Sequence, residues 1–146
     1  MKKLITILLV GLAAFLTTET KAQVYSMLSP YSIASDTVTN TGTAYLSTLV
    51  AISPAPATTT TIWVGVTKIS GTVGGTITLQ GSIDGTNWKA LNTVGTQTAL
   101  ATITATDASN TYHWILQGSP MPYYRVTWTG TGTMSASFIA KLFRAK

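Results

Sequence analysis

Residues 133–144 constrain the fold more tightly than any other stretch of the chain. Met134, Ala136, Phe138, Ala140 and Leu142 alternate with Ser135, Ser137, Ile139 and Lys141. Side chains two apart share one face of a β-strand, whereas a helical face needs apolar residues three or four apart. The run therefore predicts a strand with one side in a core and the other in solvent. The same period returns elsewhere. Ile62, Val64 and Val66 stand against Trp63, Gly65 and Thr67; Ile77 and Leu79 against Thr76, Thr78 and Gln80. Tyr112, Trp114 and Leu116 oppose Thr111, His113 and Ile115, and Tyr124, Val126 and Trp128 oppose Tyr123, Arg125 and Thr127.

Between these runs lie residues that break strands and favour turns: Asn40-Thr41-Gly42, Gly71 to Gly75, Asp84-Gly85, Asp107 to Asn110, Gly118 to Pro122 and Gly130-Thr131-Gly132. Thr43 to Ile52 is apolar on both sides, with Leu46, Val50 and Ile52 opposite Tyr45 and Leu49, which fits a buried strand or a short helix. The threonine-rich surroundings favour the strand. Thr98 to Thr106 alternates small apolar residues with threonine, and Ser53 to Thr60, with Pro54 and Pro56, reads as an extended loop. That loop is a passive connector or, being rich in Ser, Thr and Pro, a site for O-glycosylation. No 3.6-residue stripe runs through residues 23–146. About eight to ten short antiparallel strands, with turns every 8–12 residues, predict an all-β fold: a single β-sandwich, jelly-roll-like.

Two segments lie at the edges of that pattern. Met1-Lys2-Lys3 followed by an apolar run from Leu4 to Leu16, with Thr20 and Ala22 before Gln23, has the layout of a secretory signal peptide over residues 1–22. The apolar run falls short of the roughly 20 residues that cross a bilayer, and the alternative to cleavage is an uncleaved N-terminal anchor. Cleavage after Ala22 would leave residues 23–146 as the β-sandwich domain, with no membrane span. It would also remove Lys2, Lys3, Lys21 and Glu19, so the net charge of +5 falls to +3. Of the basic residues that stay, only Lys141, Arg144 and Lys146 cluster, too few to follow a phosphate backbone, so nucleic acid is not an expected partner. The chain has no cysteine, which rules out thiol catalysis, zinc–thiolate sites and disulfides.

Candidate chemistry is sparse. Residues 23–146 hold three acids, Asp36, Asp84 and Asp107, and one histidine, His113. A serine triad would have to combine Asp107, His113 and Ser119, but Gly118-Ser119-Pro120 is not a nucleophile elbow. A glycosidase pair would have only Asp84 and Asp107 to draw on, and a calcium site only Asp84, Asn87 and Asp107. No catalytic residue, metal or cofactor is expected. Asp84 and Gly85 supply the residue types of a short hairpin loop, and Trp88 is a large apolar body expected to anchor the core. Trp114 and Trp128 are expected there too, whereas Trp63 is out of phase with its apolar neighbours.

The run from Ile77 to Trp88 resembles a recurrent LQGS-x-DG-x-NW hairpin, and Pro122 to Thr133 resembles its usual companion, a YYRV strand with a Gly/Thr turn. Together they are similar to small discoidin-like or galactose-binding-like β-sandwiches, over roughly Ile62 to Arg144. The resemblance implies a scaffold found in phage virion accessory proteins and in secreted surface proteins. A signal peptide is unusual in a virion protein, which shifts the expectation towards a cellular surface component.

A binding face is the remaining functional expectation. His113 and Ile115 share the polar side of one strand; Tyr123, Arg125 and Thr127 share that of another. If the two strands pair, a phenol, an imidazole and a guanidinium lie side by side, suited to a sugar ring or a protein partner. The plainer reading is a solvent-facing sheet. Ligand contacts are thus expected at Tyr123, Arg125, His113 and Trp63. The expected role is an exported, non-enzymatic structural or adhesive surface component, partnered by copies of itself or by a larger surface or virion assembly, with carbohydrate binding as the alternative.

Overall fold

The computed structural model describes residues 22–29, 33–49, 51–52, 59–91, 102–118 and 121–145. Residues 1–21 of the expected signal peptide, Val50, residues 53–58 of the Pro/Thr loop and residues 98–101 lie outside the described residues. Among the described residues ten strands follow in order: β1 Gln23–Ser26, β2 Asp36–Thr39, β3 Thr43–Ser47, β4 Thr59–Gly71, β5 Gly75–Ser82, β6 Lys89–Ala90, β7 Ile103–Thr104, β8 Asn110–Gln117, β9 Tyr123–Gly130 and β10 Met134–Ala145. No helix occurs among the described residues.

The strands form two antiparallel sheets. Sheet A runs β1-β10-β4-β8, with β2 also on β10; sheet B runs β3-β9-β5-β6, with β7 also on β5. The second half of the chain retraces the first, as β8 pairs with β4, β9 with β3 and β10 with β2. The folded-back ribbon then closes through β10·β4 and β9·β5. That is the jelly-roll arrangement expected from the alternation.

The alternating apolar sets meet between the sheets. Ile62, Val64, Phe138 and Leu142 face inward from sheet A, and Ile77, Leu46, Val126 and Trp128 from sheet B, each no more than 1% exposed. Trp128 meets Phe138 edge-to-face, with centroids 5.6 Å apart and planes at 87°, a favoured geometry for aromatic quadrupoles. Its Nε1–H donates to the Gly74 carbonyl at 3.2 Å.

Four expectations change. Thr59 and Thr60 belong to strand β4 and not to a loop. The strand starting at Thr43 ends at Ser47, although Ile52 beyond it is buried. Of the 98–106 stretch, residues 102–106 are described, and among them only Ile103 and Thr104 are strand. Finally, β8 and β9, consecutive in the chain, do not pair: they lie in opposite sheets, so the core separates His113 from Arg125.

Candidate functional site on the outer face of sheet B

Because β9 is an interior strand of sheet B, its polar phase is held among neighbours on both sides. Arg125 faces outward, opposite Ser47 of β3 and Gln80 of β5. Tyr45 reaches it from the β3 side and Trp88 from the β5–β6 side, with ring centroids 5.0 and 4.6 Å from the guanidinium carbon. These are cation–π distances. The Nε–H donates to Gln80 Oε1 at 2.7 Å, and Thr127 Oγ1 donates to the same oxygen at 3.0 Å. Gln80 thus fixes the plane of the guanidinium while the rings fix its position. Desolvation between them pulls the pKa of Arg125 down, with Tyr45 acting the other way; an arginine still remains a cation at physiological pH.

Trp88 is therefore not a core anchor. It is half-buried on the outer surface, because the link from β5 to β6 is a six-residue loop, 83–88, and not a two-residue turn. Asp84 organises that loop. Its Oδ1 accepts from Ser82 Oγ at 2.8 Å, Thr86 N at 2.9 Å and Asn87 N at 2.7 Å, and its Oδ2 from Asn87 Nδ2 at 2.6 Å. Ser82 Oγ in turn accepts from Gly85 N at 3.0 Å. Gly85 adopts the expected positive φ, 73°, and Asp84 does not. Tyr123, opposite Ser82, lies against this loop: a Cβ on Gly85 would sit 3.4 Å from its ring. Tyr123 braces the loop that delivers Trp88.

The donors around Asp84, the Asn87 N–H foremost, hold its carboxyl well below the usual carboxylate range. Asp107 is lowered as well, first by its hydrogen bond with Lys68 Nζ at 2.7 Å and then by the Val73 N–H at 2.7 Å. A depressed folded-state pKa gives stability that is complete above the unfolded value and is lost as pH falls through the folded one. The thermal midpoint is expected to hold down to the ordinary aspartate value near pH 4 and then to fall. In Asp107→Asn the Asp107 part of that acid-side slope should be missing, as calorimetry across pH 2–6 would read. An unchanged slope would show that the contacts of Asp107 with Lys68 and Val73 do not stabilise the fold.

The other two expected residues lie on the far side of the sandwich. Trp63 stands on the outer face of sheet A between His113 of β8 and Lys141 of β10. Its indole lies over Gly65, where a Cβ would be 2.5 Å from the ring. Beside it runs a groove of about 440 Å³ lined by Gly65, Thr67, Asn110, Thr111 and Ile139. Ile115, 59% exposed, stands two residues beyond His113 on β8, opposite Thr61. The structure thus joins Trp63 to His113 and Tyr123 to Arg125, but not one pair to the other. Tyr45, Gln80 and Trp88 escaped the sequence reading as site residues. Gln80 carried an outward phase in its strand; Tyr45 did not, because its strand reads as apolar on both sides, and Trp88 carried no such signal, since it lies in a loop.

No family model and no curated protein matches the chain. Solved structures do resemble it. One is a subunit of the disulfide-linked pili that form Bacillus endospore appendages, at 12% identity and TM-score 0.44, covering 88% of this chain and 90% of that one. Another is the K1 cleaved adhesin domain of Lys-gingipain from Porphyromonas gingivalis W83, at 12% identity and TM-score 0.49, covering 89% and 86%. A third is the C-terminal family 22 carbohydrate-binding module of Clostridium thermocellum Xyn10B, at 15% identity and TM-score 0.43, covering 88% and 87%.

Proposed function

We propose that the protein is an exported, non-enzymatic surface component that holds a carbohydrate ligand on the outer face of sheet B. The observation that carries this reading is the restraint on Arg125, held by two rings and one amide while its terminal nitrogens make no hydrogen bond among the described residues. Ordering a long cation before a ligand arrives removes part of the entropic cost of binding it. Tyr45, Trp88, Gln80 and Thr127 contain no general base at neutral pH, and Asp84 has its oxygens taken up by its own loop. The chemistry of the site is therefore recognition and not turnover.

A glycan array read with the wild-type chain and with Arg125→Ala and Trp88→Ala tests this. Binding is expected for the wild type and lost in both variants. Their thermal midpoints should drop by only a few degrees, since an exposed cation–π contact contributes about 0.5–1 kcal/mol. An array without signal, or one on which both variants bind like the wild type, would remove the proposal.

A further inference from the structure

We infer that the ligand is an acidic polysaccharide whose carboxylate sits on the two terminal nitrogens of Arg125; this rests on sheet B being the binding face. The Nε–H is already taken by Gln80. The terminal nitrogens make no hydrogen bond and meet no carboxylate among the described residues, where the ion pair present is Lys68–Asp107. A guanidinium set over two rings with its Nε occupied keeps its two terminal nitrogens for a ligand, and on its distal edge these present two N–H groups side by side. Two oxygens of a carboxylate match that spacing. The cation is partly desolvated and lacks a counter-ion among the described residues, so an arriving anion gains more there than beside a fully hydrated lysine. Rings that give a face to a cation turn their edges elsewhere, and the edge is the positive end of the aromatic quadrupole. Asp84, near Trp88 in sequence, is no competing anion for Arg125, because its oxygens accept from Ser82, Thr86 and Asn87.

The rest of the face selects a sugar acid over an acidic protein. Thr43, Thr129, Thr76 and Thr104 stand level across four strands, with Thr127 and Thr78 in the next row towards Arg125. Thr43 and Thr129 already share a hydrogen bond at 3.0 Å. Neither row contains a lysine or a second arginine. An acidic protein patch calls for several cations. A uronic acid residue carries one carboxylate among hydroxyls, which one guanidinium, one amide and a field of hydroxyls complement.

Titration calorimetry and affinity electrophoresis with polygalacturonate, alginate and hyaluronate, each beside its methyl ester, and with poly-glutamate, test the inference. At least one polyuronate is expected to bind, with its ester and poly-glutamate at least about tenfold weaker, the loss of one charge-assisted hydrogen bond or more. Arg125→Gln should reduce the acid form to the level of its ester, and Arg125→Lys should fall between. An ester that binds as well as its acid overturns the carboxylate while leaving a sugar-binding face. Poly-glutamate that binds as well as any polyuronate makes the partner an acidic protein and overturns the inference. Failure of all three polyuronates while the array shows a neutral glycan held through Arg125 overturns it too, and failure of every glycan removes the proposed function with it.

Discussion

Trp128→Ala is expected to lower folding stability by about 3–5 kcal/mol, the range for truncating a fully buried aromatic. The residue is completely buried, lies on an interior strand and is flanked in the sheet by Ala44 and Ile77. Truncation empties the space against Phe138 and leaves the Gly74 carbonyl without the indole donor. The first effect is a cavity, the second an unsatisfied acceptor, and both act against the folded state. Total stability for a chain of this size is about 5–15 kcal/mol, so the urea midpoint should move by a large fraction of its value. Trp128→Phe separates the two effects, because it keeps most of the ring volume and loses only the N–H. If Trp128→Ala unfolds no earlier than a surface change such as Thr129→Ala, the described core is wrong.

Gly75→Ala should be comparably damaging for a different reason. Gly75 has φ of 110°, and a Cβ there would lie 2.1 Å from the Thr129 carbonyl oxygen and 2.7 Å from the Gly130 Cα. Both obstacles are backbone, so no side chain can rotate out of the way. Gly130, its cross-strand partner, is equally confined, with the Asn40 carbonyl 2.3 Å from its would-be Cβ. Left-handed backbone alone costs roughly 1–2 kcal/mol for a residue with a Cβ, and displacing β9 adds to it, so a total of at least about 3 kcal/mol is expected. Gly132 is the control, with φ of 72° and nothing within 4 Å of a Cβ. Gly132→Ala should cost only the backbone part, about 1 kcal/mol. Equal urea midpoints for the two variants would refute the close approach of β5 to β9.

These contrasts also mark what the chain discloses about itself. The face each residue takes in β4, β5, β8, β9 and β10 was legible, because alternation fixes phase: Val64, Leu79, Trp114, Val126 and Phe138 are all buried as their spacing requires. Strand partners were not legible. Consecutive strands usually neighbour one another, so pairing β8 with β9 was reasonable from local order, but in a jelly roll the chain crosses to the other sheet there. Trp88 misled for a related reason. Its size argued for burial, yet the Asp84 network lengthens the loop and turns the ring onto Arg125. A site assembled from residues 45, 80, 88 and 125 has no contiguous sequence signature.

β10 has a further consequence for how the protein is made. It comes after β1, β2 and β4 in the chain, and all three pair with it. β4 and β8 can pair before β10 is made, but β1 and β2 find their partner only once Met134–Ala145 is available. A nascent chain that has not yet reached β10 therefore carries strands with unsatisfied edges, the state in which a chaperone or a stray strand competes for them.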